Sequence, residues 1–459
     1  MNLLRASAVL TLLAGAATPA TPATTPAKTA PHAVRPAAHQ ATVLPFISDD
    51  YPRALAQART RKLPIFIDTG APWCHTCRSM EAFVFTDKSL SRRAGQFVWL
   101  RLDTEKKQNA AIVKKLAIFG IPTYYVVDPV TERIALRWVG AFTVAQLDRL
   151  LDDGLLAVGG ADGRPPLEAA MVKADALYAD AKYPEAAVAY RGAIALAPAE
   201  WPQYARAAEA EMTSLTQAEK YDEAVAFARE AYPKVRSTPS AAVIAGLGLD
   251  DAVSLPKENP DRTLLIAQFE KAAREVVHDR QLSVAADDRS GLLISLMEAR
   301  RDAGDDAGRM RAAEEWSAFL DSVAAVAPNP EARAVFDPHR LSAYIEIGHP
   351  ERAVPMLQQS EREMPTDYNP PARLAIAYRE MKRWDDGLAA SDRAMAMAYG
   401  PRKLGYYSTR ADLYLGKADT TAAVKTLEEG IVYAGTLPNK PNLAGLQKRL
   451  DTLRPSAHP

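Results

Sequence analysis

Cys74 and Cys77 are the only two cysteines in 459 residues, and they stand together in Trp73-Cys74-His75-Thr76-Cys77. An apolar run ahead of them, Leu63-Pro64-Ile65-Phe66-Ile67-Asp68, reads as a buried strand. Behind them, Arg78 to Leu90 reads as a helix. The pair therefore falls where a strand passes into a helix N-terminus. Unpaired backbone N–H groups and the helix dipole favour a thiolate there, so Cys74 is expected to be acidified and nucleophilic. Cys77, one turn inside the helix, can reach it, and the two can cycle between dithiol and disulfide. Two other chemistries compete for such a pair. Zinc usually takes four ligands, and beyond this pair the chain offers only scattered histidines (His32, His39, His75, His278, His339, His349, His458). Intrachain zinc is therefore disfavoured, although a site shared between two chains is not. A purely structural disulfide closing so short a loop would constrain the unfolded chain little. Redox exchange is the chemistry that this spacing favours.

The surrounding elements must hold the pair in place. Asp49 to Lys62 reads as a helix, followed by a strand over Leu63–Thr69 and the cysteine helix. Phe97–Leu102 is a second apolar run, expected to lie parallel to the first. Asn109–Phe119 is helical, and Gly120-Ile121-Pro122-Thr123 leads into a strand over Tyr124–Asp128. After a turn at Pro129–Thr131, a further strand runs over Arg133–Val139. Gly140 breaks it, and Thr143 caps a last helix through Leu151. Parallel pairs followed by a hairpin predict a central α/β sheet.

On these residues, the stretch from about Phe46 to Leu156 resembles thioredoxin-fold proteins. Trp73-Cys74-x-x-Cys77 looks like their redox motif. Ile121-Pro122-Thr123 looks like the loop whose proline is cis, Asp68 stands where they carry a buried acid, and Val139-Gly140-Ala141 looks like the glycine closing the last strand. The longer string Trp73–Glu81, with Val84-Phe85-Thr86-Asp87 behind it, is similar to the C-terminal thioredoxin domain of membrane thiol:disulfide interchange proteins and of related exported proteins. The resemblance implies Cys74 as attacking thiolate, Cys77 as resolving thiol, and Asp68 as a proton relay beneath them. It implies that Trp73 shields the disulfide, and that Ile121 and Pro122 receive an incoming peptide strand, since a cis X-Pro bond lacks an N–H. Arg101 occupies a place where thioredoxins often carry a lysine near the acid. The sequence departs at His75-Thr76, the dipeptide that tunes the reduction potential. A protonated His75 would stabilise a thiolate; a neutral surface imidazole would do little.

Elsewhere the composition shifts. Residues 1–23 read as a signal peptide, with Arg5 before an apolar core at Val9–Ala17 and small residues after it. Residues 24–45 form an Ala/Pro/Thr-rich linker, and residues 46–157 form the thioredoxin-like unit. The apolar core is short for a membrane span, so the mature chain is expected to be periplasmic or secreted, without an integral span. Lys+Arg and Asp+Glu balance at 56 each, which argues against a nucleic-acid partner.

Residues 165–455 are alanine-rich and helical. Ala186, Tyr190, Ala193 and Pro198 follow the small-x3-aromatic-x2-small spacing of a tetratricopeptide repeat. Weaker copies stand at Ala224/Ala228/Ala231, Ala353/Leu357/Ser360/Pro365, Gly387/Ser391/Ala394 and Ala423/Leu427/Gly430; the step from Ala353 to Gly387 is 34 residues, the standard length. Residues 240–327 are helical but out of register, with an irregular insertion near Pro256–Pro260. The expected fold is thus an α/β thioredoxin-like domain followed by an all-α tetratricopeptide-like solenoid. The expected activity is thiol–disulfide exchange, reductive in direction, on client proteins bearing disulfides or thiols. It requires a redox partner protein and neither metal nor dissociable cofactor, and the solenoid would hold the client or partner. The rival is a non-catalytic interaction scaffold with a thioredoxin-like recognition unit.

Overall fold

The apolar runs flanking the cysteines pair with one another. The computed structural model describes residues 42–454, apart from 117 and 119; the expected signal peptide and most of the linker lie outside the described residues. Five strands, β1 (Ile47–Ser48), β2 (Ile65–Gly70), β3 (Val98–Asp103), β4 (Thr123–Val127) and β5 (Ile134–Val139), form one sheet in the order β1-β3-β2-β4-β5. β2 and β3 run parallel with Asp68 opposite Arg101, and β4 and β5 complete the sheet as antiparallel neighbours. Side chains alternate across the sheet. Phe66, Trp99, Tyr124 and Val126 pack on one face with Phe85, Leu147 and Leu151. Ile65, Ile67, Leu100 and Tyr125 pack on the other with Ala54, Ala58 and Ile112. Burial on both faces is why these strands read as unbroken apolar runs.

Capping fixes the helices. In α1 (Tyr51–Arg61) the Asp50 side chain accepts from the Arg53 N–H, and Lys62 ends the helix in the left-handed region at φ 56°. The cysteine segment is not the single helix expected over Arg78–Leu90. α2 (His75–Ser79) begins three residues earlier and widens into a π turn over Met80–Val84, closed by Phe85 N–H donating to Met80 O. Asp87 then caps a separate 3-10 segment, Lys88–Arg93. α3 (Ala110–Leu116) follows. α4 (Val144–Val158) starts at the expected Thr143 cap, with Gln146 completing a capping box, but outruns the expected end at Leu151. Gly154 allows this, because a Cβ there would stand 2.6 Å from Val126 Cγ2. β1 was not foreseen; two residues carry no periodicity.

The remaining chain is helical. It opens with α5 (Pro166–Ala179), α6 (Tyr183–Leu196), α7 (Tyr204–Gln217) and α8 (Tyr221–Val235). α9 (Ser240–Ser254), α10 (Arg262–His278), α11 (Ala286–Asp302), α12 (Asp306–Ala325), α13 (Pro330–Ala334) and α14 (Asp337–Glu346) form the middle. It closes with α15 (Ala353–Glu363), α16 (Asn369–Glu380), α17 (Trp384–Met397), α18 (Lys403–Gly416), α19 (Thr420–Ala434) and α20 (Ala444–Leu453). Apart from Pro198 and Pro365, which follow their helices and are exposed, the repeat residues lie on the second helix of each hairpin and are almost fully buried: Ala186, Ala193, Ala224, Ala228, Ala231, Ala353 and Ala423 are all 0% exposed. Small side chains there let adjacent helices approach, and each hairpin buries the face of the next. At Gly387 a Cβ would stand 2.5 Å from Leu413 of α18.

The middle departs from this pattern for a physical reason. α9 is apolar nearly all round and packs against α8, α10 and α11 together, with Phe269 lying over Gly248. A helix buried on every side has no outer face to pass to a next repeat. Among the described residues no helix is long and apolar enough to cross a membrane.

Candidate functional site

The turn from β2 into α2 holds a Cys74–Cys77 disulfide. Cys74 is the N-cap of α2, and its Sγ accepts the Cys77 N–H at 3.1 Å. This is the amide placement that favours charge on that sulfur. Gly70, the last residue of β2, allows the close approach: a Cβ there would sit 3.2 Å from both Cβ and Sγ of Cys77. Cys74 and Cys77 are only 5% and 6% exposed.

Asp68 is buried on β2, and Arg101, opposite it on β3, donates from Nε to Asp68 Oδ2 at 2.9 Å. Burial pushes the Asp68 carboxyl up to about 6; Arg101 opposes that rise and Glu81 adds to it. Arg101 Nη1 also stands 3.2 Å from Glu81 Oε1, and its guanidinium lies over the Phe46 ring. Asp68, Cys77, Gly70 and Arg101 line one cavity of about 600 Å³. The Ile121–Pro122 bond is cis and leads into β4, where Pro122 O accepts the Gly140 N–H at 3.0 Å. Neither residue lines that cavity.

The helical half closes around the cysteine turn. Asn369 Nδ2 donates to Pro72 O at 3.0 Å, and Arg78 Nη1 donates to Asp367 Oδ2 at 2.7 Å. Trp73 donates from Nε1 to Glu105 at 3.0 Å, while the Arg402 guanidinium sits 4.8 Å from its ring centre and the Arg402 N–H donates to the same Glu105. His75 is neither an exposed imidazole nor a cation. Its ring lies 3.8 Å from that of His339, and its Nδ1 stands 3.2 Å from Asp287 Oδ1. Burial, followed by His339, Arg373 and Arg78, holds His75 well below the usual histidine range. Burial and Asp288 hold Asp287 well above the usual carboxylate range. The two groups therefore meet as neutral partners.

Sequence reasoning brought Cys74, Cys77, Asp68 and Arg101 together, and the structure places all four at one site. It missed Asp287, Asp367, Asn369 and Arg402. His339 entered only as one of several scattered histidines. No local signal marks these residues, since their partners lie hundreds of positions away. Among the described residues no group of three or more His, Cys, Asp or Glu could hold a metal ion.

Residues 46–129 match a family model described as Thioredoxin-like. The thiol:disulfide interchange protein DsbD of Yersinia enterocolitica is 34% identical over 90 residues, 19% of this chain and 15% of that protein. DsbD of Cronobacter sakazakii is 34% identical over 82 residues, 17% of this chain and 14% of that protein. DsbD of Colwellia psychrerythraea is 28% identical over 92 residues, 19% of this chain and 14% of that protein. The chain thus spans about one-seventh of the length of these curated relatives. A chain of the TPR2AB-domain:pHSP90 complex of yeast Sti1 aligns with a TM-score of 0.24 at 13% identity, over 62% of this chain and 96% of that one. The tetratricopeptide likeness accordingly rests on the buried repeat residues of α6, α8, α15, α17 and α19.

Proposed function

We propose that the protein is an exported thiol–disulfide oxidoreductase that works as a reductase. The observation that carries this reading is a disulfide whose first sulfur accepts an N-cap amide while the second shares a cavity with a buried acid. In the reduced protein, the Cys74 thiolate attacks a client disulfide. A bond forms between Cys74 and one client sulfur, and the other client sulfur leaves with the electron pair. Cys77, deprotonated towards Asp68, then attacks Cys74; the intrachain disulfide reforms and the client leaves fully reduced. Ile121 and Pro122 would border the incoming strand, with Trp73 covering the pair. His75 would tune the potential by what it withholds. As a buried neutral ring it places no cation beside Cys74, so the thiolate lacks the stabilisation that makes a pair strongly oxidising. Solenoid side chains contact Pro72, His75 and Arg78 beside the pair, which supports a role for the helices in client or partner binding.

The near-complete burial of both sulfurs favours the rival, a scaffold without turnover. Equilibrating the full chain against dithiothreitol or glutathione buffers separates the two. A reduction potential near about −270 mV supports a reductase, and one near about −120 mV a disulfide donor. A pair that never cycles, together with an unaltered phenotype for Cys74→Ser, leaves the scaffold reading.

A further inference from the structure

The two sulfurs of the disulfide face different surroundings. Beside Cys74, His75 is held against Asp287 and the ring of His339 from the solenoid. Cys77, in contrast, lines the cavity of about 600 Å³, and Cys74 does not. That volume falls within the range of small-molecule pockets, roughly 300–1,000 Å³, and excludes a folded protein.

We propose that the oxidised pair is reduced from this cavity, at Cys77, by a low-molecular-weight thiol carrying an ammonium group. The inference rests on the exchange reading above and names the class of electron donor that a reductase requires.

The step balances. A donor thiolate attacks Cys77 Sγ. A donor–Cys77 bond forms, the Cys74–Cys77 bond breaks, and the electron pair departs on Cys74. Cys74 is the better leaving group, because the Cys77 N–H already donates to its Sγ at 3.1 Å and a more stabilised thiolate leaves faster. A second donor thiolate then attacks the donor's own sulfur in the mixed disulfide, releasing the small disulfide and the Cys77 thiolate. The two donor protons end on the two cysteines, with Asp68, in the same cavity, placed to hold one in transit. Two small thiols become one small disulfide, and the protein disulfide becomes a dithiol.

Charge selects the donor. Every cation of the lining already has a carboxylate: Arg78 meets Asp367 at 2.7 Å, Arg101 meets Asp68 at 2.9 Å, and Lys106 meets Asp49 at 2.6 Å. Glu81 and Asp103 line the same space in excess of these pairs; Glu81 shares Arg101, and Asp103 takes the hydroxyl of Tyr399. An ammonium answers that surplus, whereas a second carboxylate is repelled by it. Cysteamine fits this description, and 3-mercaptopropionate does not.

The test uses the oxidised full chain with cysteamine and 3-mercaptopropionate at equal thiolate concentration. Each rate is divided by that of the same thiol on the urea-unfolded protein. The expected result is a ratio of at least fivefold in favour of cysteamine, collapsing toward one in Glu81→Lys. In parallel, Cys74→Ser and Cys77→Ser are each treated with cystamine, and the adducts are followed by mass spectrometry. Cys77 should be labelled at least tenfold faster than Cys74. Labelling of Cys74 alone, or equal normalised rates for the two thiols in the wild-type chain, overturns the inference. If a single-cysteine variant fails to fold, the wild-type rate ratio still decides. The exchange reading falls separately, if dithiothreitol, which is uncharged, cannot reduce the pair at all.

Discussion

On the Cys74 side, the disulfide is bordered by side chains brought from far along the chain: His75 meets Asp287 of α11 and the ring of His339 of α14. On the Cys77 side a cavity is lined both by strand ends, with Gly70 from β2 and Asp103 from β3, and by Arg78 with Asp367. The two sides are also stabilised differently. The first depends on the buried contact of His75 with Asp287. The second depends on ion pairs of the lining, Arg78 with Asp367 and Arg101 with Asp68, which are costly to break because each leaves a desolvated partner behind. One covalent bond therefore has one sulfur beside the solenoid and the other on a small-molecule cavity.

Breaking the ion pair that joins the solenoid to the cavity lining should have the largest effect. Burial pushes the Asp367 carboxyl up, but Arg78, the Asn369 amide and Arg373 together bring it below its usual range. It is thus ionised, and Asp367→Ala leaves Arg78 and the fully buried Arg373 without it. The expected loss is about 3–5 kcal/mol in urea unfolding, the scale for a buried pair stripped of one member. Arg78, left without that carboxylate in the cavity lining, should lower the preference for cysteamine over 3-mercaptopropionate at least twofold. An unchanged preference would mean that the charge of the lining does not select the donor.

On the opposite side, Asp68→Asn probes the buried acid. The folded carboxyl ionises at about 6 against an ordinary 3.8. Its contribution to stability is therefore complete below pH 4 and disappears as the pH rises through 6. A rise of that size corresponds to roughly 3 kcal/mol. The variant lacks this loss, and Arg101 keeps Glu81 as a partner. Denaturation midpoints of wild type and variant should therefore run parallel below pH 4, with the variant gaining on the wild type between pH 4 and 7. Exchange by the variant should be slower, since Cys77 loses the proton acceptor of its cavity. A pH-independent difference would place the Asp68 carboxyl outside the titrating site.

The comparison also separates what could be read in advance from what could not. Cys74, Cys77, Asp68 and Pro122 belong to local patterns, in which a strand end, a helix start and an X-Pro bond each impose a residue type at fixed spacing. Ala186, Ala353 and Gly387 were legible for a similar reason, because close helix contact permits only small side chains there. Asp287 and Asp367 obey no such rule. Their place at the site follows from how α11 and the loop before α16 arrive beside α2. The same holds for His75, whose state depends on His339 rather than on its neighbours in sequence. Errors in the sheet unit were of another kind. The π turn at Met80–Val84 is closed by the Phe85 N–H on Met80 O, and the extension of α4 past Leu151 is admitted by the close approach of Gly154 to Val126; neither is marked by the local helix pattern.

The smallest change confines the test to the cavity side. Gly70→Ala adds one methyl, and its position 3.2 Å from Cys77 Sγ is tighter than ordinary contact, so Cys77 must yield by a few tenths of an ångström. Such overpacking costs about 1 kcal/mol. The methyl crowds the sulfur that a cavity-borne thiol must reach, and its nearest neighbours are the Cβ and Sγ of Cys77. Reduction by cysteamine should fall about threefold, while cystamine labelling of Cys74 in a Cys77→Ser background should not change. Equal slowing at both sulfurs would show that the two sides move together.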